Sequence, residues 1–321
     1  MKRKNRQSEL LPALLFLAPN FLGFVVFVAG PVLFSLVVSF SNWNLMGTIP
    51  FQWNGAANYR ELWQDEKFWI YFLNTAYLML GMPIAIAGSL FLAIMLSQRL
   101  RGIVVYRTLF YLPFFASGVA LFILWKALLN PDFGPINAAI EWALRAVGLE
   151  HASAPKWLTS TKNLLGLQVE QVGLDWKEWG LGARDALILM GIWIAIGGNN
   201  MLLYIAAISN IPQELYEAAQ IDGAGAWAQF RYVTWPQLAP TTFFIVVMSF
   251  IGGLQGGFEQ ARVMTEGGPA GTTVTLSYYI YFKAFADFQI GYASAVAWVL
   301  FAIIFAATLV IWKYGSQQVS Y

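Results

Sequence analysis

A chain of 321 residues in which 58% of side chains are apolar and only 11% are charged is a membrane composition, since soluble domains carry about 25% charged residues. Its 19 basic and 17 acidic side chains leave a formal net charge of +2, which excludes the strong basic field that nucleic-acid binding needs. The lack of cysteine excludes a disulfide framework and a thiol nucleophile, and the lone His151 excludes a multi-histidine metal site.

At roughly 20 apolar residues per spanning helix the chain has room for about six spans. Lys2, Arg3, Lys4 and Arg6 precede an apolar run from Leu10 to Phe40, too long for a signal-peptide core, so it reads as a retained first span over 11–40. Further apolar runs near 68–97, 103–129, 186–208, 240–258 and 291–313 complete a set of six helices. Runs of this length without strict alternation argue against a β-barrel, and the expected fold class is all-α and polytopic. Trp43, Trp69, Trp125 and Trp312 fall near span ends, where an indole buries its ring and keeps its N–H wet.

The basic N-terminus, together with Arg99, Arg101 and Arg107, contrasts with a 41–67 segment holding Arg60 and Lys67 against Glu61, Asp65 and Glu66. The positive-inside bias therefore puts both termini, 1–10 and 314–321, in the cytoplasm, flanking a single transmembrane domain over 11–313 in the cell (inner) membrane. Segments 41–67, 130–185 and 259–290 then face outward. In the middle one, Ile136, Ala139, Ile140 and Leu144 share a helical face, for a helix that lies along the outer membrane surface or packs as a small cap. The acids Asp132, Glu141, Asp175, Glu178 and Asp185 are scattered through it without a catalytic pairing, and His151 reads as solvated.

No Asp or Glu falls inside the six expected spans, which weakens a proton- or sodium-coupled carrier. Neutral polar groups do: Asn74, Asn199, Asn200, Tyr204, Ser249 and Gln255. Amides and hydroxyls near Trp193 or Phe250 suit a sugar, whose hydroxyls seek hydrogen bonds and whose C–H faces lie on aromatic rings. The same residue types also join helices within a membrane, and both readings stand for each of them. Gly197 and Gly198, beside the paired amides, let either a ligand or another helix approach the backbone.

Between spans four and five, over about 209–239, Pro212 to Gly223 reads as a short capped helix, with Pro212 in its first turn, Glu214 near the positive end of its dipole and Gly223 left-handed at its end. A second short helix is expected over about 226–232, with Pro236 and Pro240 fixing the return into span five. Read from the residues alone, this is a well-capped connector on the cytoplasmic side.

Glu217-Ala218-Ala219, Asp222-Gly223-Ala224, Phe230, Val233 and Trp235-Pro236 resemble the EAA motif of permease subunits of binding-protein-dependent ABC importers. Arg107 to Pro113, Asn130 to Gly134, Ile136-Asn137 and Thr265 to Pro269 extend the resemblance to the carbohydrate-uptake branch, similar to the first permease subunits for maltose, lactose or glycerol-3-phosphate. The large outer domain of the maltose subunit is missing, and about twenty residues around Lys162 to Leu181 look inserted. The resemblance implies a type I ABC importer permease fold and alternating access. It also implies coupling to an ATPase through Glu217, Ala218, Ala219, Asp222, Gly223 and Ala224, and sugar contact from Asn199, Asn200, Ser249, Tyr204 and Gln255. The implied partners are a homologous second permease, two ATP-binding subunits and an extracytoplasmic sugar-binding protein. The chain holds no G-x-x-x-x-G-K-[ST] sequence, so no cofactor of its own is expected, ATP and Mg being held by the partner ATPase subunits. The alternative is a self-sufficient secondary carrier or channel for a neutral polar solute; a polytopic membrane enzyme would need clustered His or acidic residues at the membrane face.

Overall fold

The computed structural model describes residues 6–47, 50–98, 101–116, 118–149, 153–166 and 179–315. His151, Asp175, Glu178 and Arg99, named above, lie outside the described residues, as does most of the segment that looks inserted. The regular secondary structure of the described residues is helical, with two isolated β-bridges in the connections, and the chain divides into two compact units, one within Met1–Asp65 and Ile280–Val299 and one within Glu66–Tyr279 and Leu300–Tyr321.

In the first unit, α1 (Arg6–Phe24) and α2 (Gly30–Val38) are joined by a π-turn over Val25–Ala29, closed by the Gly30 N–H donating to the Val25 carbonyl. The widened turn stands directly before Pro31, whose ring would otherwise clash with the carbonyl four residues back. Only 6% of the most apolar window of this span is buried within the chain. After it, the Asn58 amide donates to the Ser39 and Ser41 carbonyls, each at 2.8 Å, and anchors α3 (Ala57–Gln64). The Tyr292 hydroxyl donates to Asp65 at 2.6 Å, and Lys283 pairs with Asp287 at 3.0 Å.

The second unit contains α4 (Glu66–Leu78) and α5 (Gly81–Leu96), α6 (Ile103–Phe115) and α7 (Val119–Leu128), α8 (Pro135–Ala146), α9 (Ala183–Ile196) and α10 (Asn199–Ser209). After these come α11 (Gln213–Ile221), α12 (Ala226–Gln229), α13 (Trp235–Gln255), α14 (Phe258–Met264) and the greater part of α15 (Leu276–Tyr281); α16 (Ile290–Gly315) begins in the first unit and ends in the second. Among the described residues, five stretches are long and apolar enough to cross a membrane: Leu15–Val38, Glu66–Leu96, Ala183–Ser209, Ala226–Gln255 and Ile290–Gly315. The third expected span differs from a straight helix. It is the pair α6 and α7, bent by 96°, so the count is six if the pair makes one span. Pro113 removes a backbone donor before the bend, and Gly118, at φ 104°, adopts a conformation that a side chain would oppose.

Hydrophobic clusters among the described residues hold this unit together. One gathers Leu121, Trp125, Trp157, Leu187, Met190 and Met264, and another Leu92, Leu96, Met201, Tyr204, Leu238 and Ile245. Spans two and four approach closely because Gly81 and Gly88 leave room for Ile188, Ile192 and Ile196, and the Ser89 hydroxyl reaches the Ala195 carbonyl at 3.1 Å. The amphipathic helix α8 packs as a cap: Ile136 and Ile140 lie against the first cluster, and buried Asn137 donates to the Pro131 and Pro155 carbonyls and accepts from the Trp157 indole at 2.7 Å.

Candidate functional site

The connector between spans four and five is a short helix with its own termination. Pro212 is the N-cap of α11, which ends in a Schellman arrangement: the Gly223 N–H donates to the Gln220 carbonyl at 3.0 Å and the Ala224 N–H to the Ala219 carbonyl at 2.8 Å. Gly223, at φ 79°, is left-handed. The expected second short helix does not stand apart. From Ala226 the chain stays helical to Gln255 through a π-turn over Phe230–Thr234, closed by the Trp235 N–H on the Phe230 carbonyl. As at Pro31, the wide turn comes immediately before a proline, here Pro236, and this lets the helix continue where a break was expected.

Two side-chain bonds fix α11 to the base of this long helix. Tyr216 and the buried Thr234 share a hydroxyl hydrogen bond of 3.0 Å, and the Gln229 amide donates to the Ala224 carbonyl at 2.9 Å. Glu217, Ala218, Asp222 and Gly223 are exposed, while Ala219 and Ala224 are half-buried. Ile221 and Trp227, 87% and 74% exposed, stand beside them as large apolar groups. A rigid knob with a carboxylate and uncovered apolar side chains is suited to fill a pocket in another protein. Motif matching alone does not single out Ile221, Trp227 or Tyr216, although the unusual apolarity of a short polar connector was the available signal.

Between the two hydrophobic clusters lies a cavity of about 470 Å³, lined by Met82, Phe114, Ile192, Asn200, Ser249 and Gln260 among others. A neighbouring cavity of about 280 Å³ shares Leu78, Met82, Gly252 and Gln260 with it and is walled by Gly253, Gly256 and Gly257. Asn200 and Ser249 therefore come together. Among the described residues neither their side chains nor that of Gln260 has a hydrogen-bond partner within the chain.

The other expected polar residues are placed differently. Tyr204 is fully buried and donates to Thr242 at 3.3 Å, joining spans four and five. Asn199 is exposed and accepts from the Tyr111 hydroxyl at 3.3 Å. Asn74 donates to the Gly271 and Val274 carbonyls, and Gln255 is exposed away from both cavities. Gly197 and Gly198 serve a helix: a Cβ on Gly197 would collide with the Phe110 carbonyl, so α6 packs backbone-close at the break between α9 and α10.

One acid departs from the scattered picture. Asp185 is buried in the first turn of α9, accepting from the Tyr77 hydroxyl at 2.5 Å and the Gly182 N–H at 3.1 Å, with Arg184 over the Tyr77 ring at 5.1 Å. It ties the start of span four to α4 and to the 160–164 segment, whose Ser160 carbonyl accepts from the Ala183 N–H. Among the described residues, no group of three or more His, Asp or Glu could hold a metal ion.

Residues 85–314 match the family described as binding-protein-dependent transport system inner membrane component. Over 325 residues the chain is 34% identical to the probable ABC transporter permease protein YesP of Bacillus subtilis (strain 168), covering 100% of this chain and 95% of that protein. It is 34% identical over 298 residues to the lactose transport system permease protein LacF of Rhizobium radiobacter, covering 90% and 89%. The fold is similar to a chain in the crystal structure of a bacterial ABC transporter involved in the import of the acidic polysaccharide alginate, with TM-score 0.75 and 24% identity over 97% of this chain and 96% of that one.

Proposed function

The chain belongs to the family of binding-protein-dependent transport system inner membrane components, and on that premise we propose that it is one membrane subunit of an ATP-driven importer for a sugar or sugar-like solute. The observation that carries the reading is mechanical. One helix, continuous from Ala226 to Gln255, holds the Glu217-Ala218-Ala219 segment, with Glu217 and Ala218 exposed, at its base and lines the cavity with Ser249 and Gly252 further along. Thr234 and Ser249 are fifteen residues apart in sequence, about 22 Å along a helix at 1.5 Å per residue. A push on α11 from an ATPase subunit is thereby passed as rigid-body motion to the wall of the cavity.

In this reading the termini and α11 face the cytoplasm, where two ATP-binding subunits hold ATP and Mg, and the opposite mouth receives solute from an extracytoplasmic binding protein. A second permease completes the pathway, since alternating access needs two halves that move against each other. Lactose in the name of LacF and alginate in that of the structural relative support a carbohydrate. Asn200 and Ser249 supply hydrogen bonds to it.

The test is ATP hydrolysis by the reconstituted complex with and without the loaded binding protein. Glu217→Lys reverses the charge offered to the ATPase, and Gly223→Asp forces a side chain into a left-handed position at about 1 kcal/mol while crowding the contact surface. Both variants are expected to assemble and to lose stimulation by the binding protein along with transport. Full stimulation in both would reduce α11 to a connector.

A further inference from the structure

We propose that the paired cavities select an uncharged sugar and that Gln260, on the short helix after span five, is a specificity-determining residue, an inference that rests on the importer reading above. Among the described residues lining the two cavities there is no Lys, Arg, His, Asp or Glu. An anionic sugar entering them would surrender its hydration without meeting a counter-charge, whereas hydroxyls exchange water for amide and hydroxyl partners. The combined space, about 470 Å³ with a further 280 Å³ sharing four lining residues, falls within the range of about 300–1,000 Å³ typical of small-molecule sites.

Gln260 is the polar side chain common to both cavities. Its amide carries both donors and an acceptor, the set a vicinal diol requires, and none of the described residues engages it. The hydroxyls of Thr75 and Thr275 in the smaller cavity are already used. Thr75 donates to the Tyr71 carbonyl and accepts from the Leu276 N–H, and Thr275 is bonded to Ser277. In the smaller cavity, beside Gln260, glycines stand where a side chain would collide with the wall. A Cβ on Gly253 would crowd Met79 at 3.1 Å, and one on Gly257, at φ 89°, would meet the Thr275 methyl at 2.5 Å. Span five and the turn after it thus line this space with bare backbone, and the reading falls to Gln260 beyond them.

The experiment uses the complete importer in proteoliposomes with internal ATP and its binding protein. The probe is an equimolar pool of glucose, galactose, maltose and lactose with glucuronate, galacturonate and digalacturonate, and luminal contents are read by mass spectrometry. Only neutral sugars are expected to accumulate. Gln260→Leu is expected to cut their kcat/KM at least tenfold and to change the ratio of glucose-type to galactose-type sugar taken up, with co-purification of the partner subunits retained. A purely packing role would alter assembly without altering that ratio. ATP-dependent accumulation of a uronate, an unchanged ratio in Gln260→Leu, or no accumulation of any neutral sugar while the binding protein still stimulates ATP hydrolysis would each overturn the proposal and leave the importer reading standing. Absence of ATP-dependent accumulation together with absence of stimulation would overturn both.

Discussion

Gly197 and Gly23 are both glycines in apolar stretches, and their surroundings give them opposite mutational consequences. A Cβ at Gly197 runs into the Phe110 backbone, which cannot rotate away, whereas one at Gly23 meets nothing within 4 Å. Gly197→Ala is expected to destabilise the detergent-solubilised protein by about 1–3 kcal/mol through overpacking, read as a lower melting temperature, and Gly23→Ala to leave it unchanged or raise it slightly. The polar residues divide on similar grounds. Asn200→Leu and Ser249→Leu remove unpartnered cavity groups and should lower uptake with assembly intact, while Tyr204→Phe removes an interhelical bond and should lower stability by about 0.5–1.5 kcal/mol with substrate preference unchanged. Uptake at the normal rate in both cavity variants would return Asn200 and Ser249 to a packing role. The residue types were visible in the sequence, but an amide reads alike whether it faces a carbonyl or a cavity. That difference comes from which helix lies opposite.

At the scale of elements, two of the three π-turns among the described residues show how a proline can be carried by a helix without a break. Each stands immediately before the proline, at Gly30-Pro31 and Trp235-Pro236, and widens the turn that the ring would otherwise strain. This makes α11 the appendage of one long helix instead of half of a separate helix pair. The tether then matters. Tyr216→Phe with Thr234→Val removes the hydroxyl pair between α11 and the helix base, and its direct cost to stability is modest, about 0.5–1.5 kcal/mol. The expected effect is on coupling: fewer solute molecules moved per ATP hydrolysed in proteoliposomes. An unchanged ratio would mean that motion reaches the span by another route. The boundaries of α11 could be read from Pro212 and Gly223, whose caps are local chemistry. The continuity of the next helix could not, because proline signals a break unless the preceding turn can widen.

For the whole molecule, orientation follows from charges at the ends of spans. If the positive-inside bias holds, alkaline phosphatase fused after Thr159 should be active and a fusion after Gly225 silent. The reverse pattern would place α11 on the side without ATP and remove the basis for coupling. The membrane class, six apolar segments and the position of the EAA-type motif were all legible in the linear sequence, since each depends on composition, run length or capping over a few neighbouring residues. The bend between α6 and α7 was not, because its 96° turn depends on the conformation at Gly118 as well as on apolarity.

The sequence by itself determined that this chain crosses a membrane in several helices, carries a rigid exposed turn of the EAA type and offers neutral polar groups at depth. These properties are additive along the chain, so no knowledge of distant contacts is needed to read them. Only the tertiary structure decided which of those polar groups are free. Tyr204, Asn199 and Asn74 find partners in segments remote in sequence, Asn200 and Ser249 face an open space, and Gln260 joins them from a helix outside the spans. Asp185 likewise becomes a buried anchor through Tyr77, 108 residues away. Whether a hydrogen-bonding group is satisfied depends on what the fold brings within about 3 Å of it, and that distance is not written in any local stretch of residues.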